Sequence, residues 1–136
     1  MTLAEKQQRL IEELSFVEDR HERLSLLVDR ARRTPPLPPA EKIEANRVPG
    51  CVSPAWLVGE VRDQHLYLRA DAESPMVKAL VAVMVRLYDG ALASEAAITE
   101  PEFLDKLGLI RDLSPTRRNG LAAVRKRIRQ LAESAT

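Results

Sequence analysis

This sequence predicts an α+β fold, with helices packed on one face of a small antiparallel sheet. Three observations carry that expectation. Apolar residues recur at helical spacing near the start and again after residue 74. Between them lie two short runs of alternating β-formers, separated by two polar residues. The order is therefore helices, hairpin, helices. A length of 136 residues and a hydrophobic share of 45% suit one domain over 1–136 with one core.

The elements follow in order. Thr2 with Glu5 has the spacing of a capping box, and Leu3, Leu10, Ile11 and Leu14 then share one helical face. A second amphipathic helix is expected over about 17–32, with Leu24, Leu27, Val28 and Ala31 at helical spacing. It stops at TPPLPPAEK, where Pro35, Pro36, Pro38 and Pro39 forbid helix and favour an extended path. AWLVGEVR and HLYLRAD read as two strands, with Asp63-Gln64 as the tight turn between them. Gly59 within the first strand is expected to mark a bulge. Ser74-Pro75 has the form of an N-cap followed by proline at the first helical position. The run MVKALVAVMVRLY is apolar nearly all round, so it is expected to be the central core helix. Gly90 ends it as a left-handed cap. A short helix is expected over about 100–107, with Phe103, Leu104 and Leu107 inward. The last helix starts at Ser114-Pro115 and carries an apolar stripe of Leu121, Val124, Ile128 and Leu131. Arg117, Arg118, Arg125, Lys126, Arg127 and Arg129 make the rest of it basic, and they are read as a solvated face.

Composition excludes several classes of function. The formal net charge of +1 and an aromatic share of 4% argue against nucleic acid as a partner. No stretch reaches the roughly 18 consecutive apolar residues that a spanning helix needs. The start, MTLAEKQQRL, has no signal-peptide run, so a soluble cytoplasmic domain is expected, with no membrane partner. Cys51, His21 and His65 are the only Cys and His side chains, with no CxxC or HxxxH, so a zinc site is not expected. Five isolated glycines do not make a phosphate-cradling loop.

What remains is the single cysteine, in RVPGCVSPAWL. Pro49 and Pro54 cannot donate main-chain hydrogen bonds, and Gly50 permits conformations closed to other residues. Such a segment is a shaped loop, and a thiol at its tip can be presented to a partner. With no second cysteine there is no disulfide, no resolving thiol and no cluster scaffold. A lone accessible thiolate can still attack a sulfur electrophile and carry the adduct away. Three readings stay open at this point: a sulfur carrier, a single-cysteine thiol redox protein, and an adaptor that docks through its basic last helix with Cys51 structural.

VPGCVSPAWLV, RADAESPMVKALVAVMVRLYDG, EFLDKLGL and LSPTRRNGLAAVRKRI, in that order, resemble the SufE family of cysteine desulfuration proteins over about Leu10 to Leu131. The most specific piece is the block of Gly50, Cys51, Ser53 and Trp56. It is joined by Val77-Lys78 and by the block ending Arg118-Asn119-Gly120-Leu121. The chain departs from the family at Ala79 and Val124, where glycine and methionine are common. Both departures are apolar, so they bear on packing.

The resemblance implies a SufE/IscU-like fold, including a third strand that the pattern does not place. It implies that Cys51 takes sulfur, as a persulfide, from a PLP-dependent cysteine desulfurase of the SufS or CsdA kind and stimulates that enzyme. Delivery to a SufB-like scaffold for iron–sulfur cluster assembly would follow. PLP then belongs to the partner and no cofactor to this chain, which would be a carrier rather than an enzyme. Gly50, Ser53, Asp71, Arg118, Asn119 and Gly120 are the further positions it singles out, for the loop and the partner surface. Val48, Val52 and Trp56 are expected to shelter the sulfur between encounters.

Overall fold

Short-range capping decides where the helices begin in the computed structural model, which describes residues 1–134; the last two residues of the expected domain lie outside them. Helix α1 (Leu3–Ser15) starts at the Thr2–Glu5 capping box and buries Leu3, Leu10 and Leu14. Helix α2 (Arg20–Arg33) starts later than its pattern predicts. The Asp19 carboxylate accepts from the backbone N–H groups of His21 and Glu22 at 2.7 and 3.2 Å, which leaves residues 16–18 to the connection. The proline-rich segment is extended through Pro38. It then tightens into a 3₁₀ turn at Pro39–Glu41, followed by another at Glu44–Asn46. Proline is tolerated there because the first N–H of such a turn has no partner to lose.

Strands β1 (Ala55–Arg62) and β2 (His65–Ala72) pair antiparallel in unbroken register from Ala55↔Ala72 to Arg62↔His65. Asp63 and Gln64 both have positive φ, 49° and 69°, the twist a two-residue hairpin turn requires. Leu57, Leu66 and Leu68 point to the core while Trp56, Tyr67 and Arg69 lie on the other face. The expected bulge at Gly59 is absent, since Gly59 pairs directly with Leu68. Its role is close approach: a Cβ there would come within 2.7 Å of Leu131 Cδ1 and 2.9 Å of Leu68 Cδ2. The sheet has two strands among the described residues. The third strand that the resemblance implies is not among them: isolated bridges join Arg47 to Trp56 at the edge of β1 and His65 to Leu92 at the edge of β2.

Helix α3 (Pro75–Tyr88) is the central one, capped by Ser74 and buried along most of its length, from Val77 to Tyr88. It lies between α2 and the inner face of the sheet. Gly90 follows with φ of +82°. The next segment continues the edge of β2, where Leu66 N–H donates to Ala91 O at 2.8 Å. Helix α4 (Ala93–Ile98) carries no sequence signal strong enough to predict it. It has no side-chain cap and is held by tertiary contacts instead. Helix α5 is shorter than expected, Phe103–Lys106, but Phe103, Leu104 and Leu107 are buried as predicted.

Helix α6 (Pro115–Glu133) starts from the Ser114 cap and crosses the inner face of the sheet on the side of β1. Helices α3 and α6 therefore cover one face of the hairpin, as the pattern predicts. Arg125 departs from the expected solvated face. Its side chain is only 5% exposed and donates to the carbonyls of Ala96 and Ala97 at 2.9 and 3.3 Å, with Glu100 3.4 Å away. That guanidinium ties α6 to the end of α4. No helix among the described residues is long and apolar enough to cross a membrane.

Candidate functional site

The loop that carries Cys51 is pinned at its base. Val48 N–H donates to Ala55 O at 2.9 Å, and Glu73 N–H donates to Pro54 O at 3.0 Å. Those bonds set residues 49–54 as a closed projection in front of β1. Gly50 turns it with φ of +82°, a conformation that side chains with a Cβ rarely adopt.

This turn points the sulfur inward. Cys51 is 8% exposed, while its neighbour Val52 at the loop surface is 75% exposed. The thiol enters a cleft between α3 and α6. Met76, Val77 and Leu80 form one wall, and Gly120 and Leu121 form the other. Thr116 and Arg117, from the first turn of α6, stand at its polar margin. The sulfur lies directly against the helix, because a Cβ on Gly120 would be 3.2 Å from it.

The space beside the sulfur is small but real. It amounts to about 30 Å³, against the roughly 10–15 Å³ that one water-sized body requires. One further atom of about that size fits there.

Burial pushes the Cys51 thiol up, since the apolar walls disfavour the thiolate. The charge of Arg47 and a hydrogen bond from the Ser53 backbone pull the other way without overcoming it. Among the described residues no His, Asp or Glu lines the cleft, so none of them stands ready as a side-chain base to take the proton. His21 sits against Asp112 at 3.3 Å, and His65 Nδ1 against Asp63 O at 2.9 Å, both outside the cleft. Burial in this cleft therefore favours the protonated thiol over the thiolate.

A family model for the SufE Fe-S metabolism associated domain matches residues 8–132. The chain belongs to the SufE family. It is 32% identical to an uncharacterized SufE-like protein of Rhizobium meliloti (strain 1021), over 92% of this chain and 93% of that one. A SufE-like protein of Synechocystis is 29% identical over 88% of this chain and 75% of its own length. The solution structure of a hypothetical protein from Thermus thermophilus superposes with a TM-score of 0.75 at 26% identity, covering 96% of this chain and 95% of that one.

The structure brings some of the SufE motif positions together and separates others. Gly50, Cys51, Ser53 and Gly120 form one place, the loop and the helix it docks on. Asp71 is elsewhere. It is 4% exposed on the outward face of β2, beside Lys42 at 3.1 Å and Lys78 at 3.5 Å. It also accepts from Leu37 N–H, so it anchors the proline-rich segment. Arg118 is exposed, but its guanidinium donates to Leu113 O at 3.3 Å and Arg111 O at 3.0 Å, which orders the turn before α6. Asn119 is exposed beside it in the same turn.

The expected shelter is corrected as well. Of Val48, Val52 and Trp56, only Val52 lines the cleft. Trp56 faces outward under Lys42, whose Nζ is 5.5 Å from the ring centroid. The true walls, from α3 and α6, are distant in sequence. The one local signal for them was Gly120, a glycine inside a strongly helical stretch.

Proposed function

We propose that this chain is a cytoplasmic sulfur acceptor that serves a PLP-dependent cysteine desulfurase, SufS- or CsdA-like, and relays sulfur toward iron–sulfur cluster assembly. The Cys51 thiolate attacks the terminal sulfur of the desulfurase persulfide. The bond between that sulfur and the desulfurase cysteine breaks, and the desulfurase sulfur departs as a thiolate. The proton that Cys51 gave up balances the one the leaving thiolate takes. Sulfane sulfur moves from one cysteine to another with no outside oxidant. A SufB-like scaffold then takes it by the same exchange. PLP remains the desulfurase's cofactor.

One observation supports this reading above all: a single thiol, on a loop pinned only at its base, docks in an apolar cleft with room for one more atom. A carrier needs such a loop to have two states. Docked, the sulfur is kept from water and reductants; extended, it reaches a partner, and partner binding selects that state.

The reading is tested by alanine release from L-cysteine by a cysteine desulfurase. Wild-type chain accelerates turnover, and Cys51→Ser, still folded, does not. Equal stimulation by Cys51→Ser would support the adaptor reading instead.

A further inference from the structure

We propose that Gly120 is the positioning residue that sets how much of the time Cys51 is docked, by leaving open the space against α6 that the sulfur occupies. This rests on Cys51 being the sulfur carrier. Glycine inside a helix is less favourable than alanine, and Gly120 lies well within the 19 residues of α6 with no left-handed φ to explain it. Something other than backbone conformation calls for the missing Cβ.

The neighbours of that missing atom identify it. A Cβ on Gly120 would lie 3.2 Å from Cys51 Sγ and 3.9 Å from both Cys51 Cα and Cβ. All three contacts belong to Cys51. A methyl group there sits closer to the sulfur than most packed Cβ atoms do, so one side must give by a few tenths of an ångström. The helix is held by Leu121, Val124 and Ile128 in the core and by Arg125 on the α4 carbonyls. The loop is hydrogen-bonded at its base, and beyond that it meets the cleft through Cys51, Ser53 and a largely exposed Val52. The loop yields. Alanine at 120 therefore weakens docking and moves the population from docked toward extended.

Two consequences separate this from a merely structural glycine. The thiol of Gly120→Ala is freer, so it reacts with iodoacetamide roughly three- to tenfold faster than wild type at about pH 8. Its persulfide is less sheltered, so an added external thiol strips sulfur from it faster by a similar factor.

The experiment measures alkylation rate and melting temperature for wild type and Gly120→Ala. The proposal expects faster alkylation with a melting temperature at or above that of wild type. An unchanged or slower rate overturns it. Loss of the fold in Gly120→Ala overturns it too, because the helix and not the loop would then have yielded. Persulfide loading by a desulfurase is followed on the same samples. If wild type never loads, the carrier reading fails, while the alkylation comparison still decides the role of Gly120.

Discussion

The carboxylate of Asp71 accepts the backbone N–H of Leu37 at 3.1 Å, joining β2 to the extended proline segment 34 positions earlier in the chain. The same side chain faces Lys42 and Lys78 and accepts from Ala72 N–H at 2.8 Å. A buried carboxylate with this many donors is a structural anchor.

Removing it should therefore cost stability. Asp71→Ala leaves Leu37 N–H and two lysines without their partner, and a loss of about 2–4 kcal/mol is expected from urea unfolding. A loss below about 0.5 kcal/mol would place Asp71 among ordinary surface positions. The pH dependence has a definite sign. Desolvation pushes the Asp71 carboxyl up, but Lys42, the Ala72 and Leu37 N–H groups and Lys78 together bring it below its ordinary value. The stabilisation is thus complete above the ordinary aspartate value of about 3.9 and is lost as pH falls through the lower folded value. Asp71→Asn should lack that acid-side loss.

Cys51 titrates in the opposite sense. Its folded value is raised, so the docked state holds its proton more tightly than the free loop. Docking is at full strength below the ordinary thiol value of about 8.5 and weakens as pH rises through the higher docked value. The alkylation rate of the native chain should rise with a midpoint above that of the urea-unfolded chain. Coincident midpoints would mean that the thiol is not docked in solution.

Arg125 offers a contrast within one helix. Arg125→Leu deprives the Ala96 and Ala97 carbonyls of their donor, so a loss of about 2–4 kcal/mol is expected. Lys126→Ala, at the exposed neighbouring position, should stay within about 0.5 kcal/mol of wild type. Equal effects would return Arg125 to the solvated face.

How much of this was legible in the sequence follows from the range of each interaction. The starts of α1, α3 and α6 depend on Thr2, Ser74 and Ser114, which act within three residues, and the sequence shows them directly. The hairpin register follows from alternation about Asp63-Gln64. Helix α4 was hidden because its stability comes from distant partners: Leu3 N–H donates to Glu95, and Arg125 to Ala96. Among the site positions, the thiol and its loop were legible from Pro49, Gly50 and Pro54. Its walls were not, because Met76, Leu80 and Leu121 meet Cys51 only after α3 and α6 pack. The basic residues of α6 looked alike in sequence, and only packing separates the buried Arg125 from the exposed Lys126.

If Cys51 receives sulfur, the mass of the intact chain records it. The chain is incubated with a cysteine desulfurase and L-cysteine, with and without a reductant, beside Cys51→Ser. A gain of one or more sulfur atoms is expected on the wild type, mapped to Cys51, removed by reductant and absent from the variant. A folded wild-type chain that gains no sulfur from any of several desulfurases, or a gain that persists in Cys51→Ser, would contradict it.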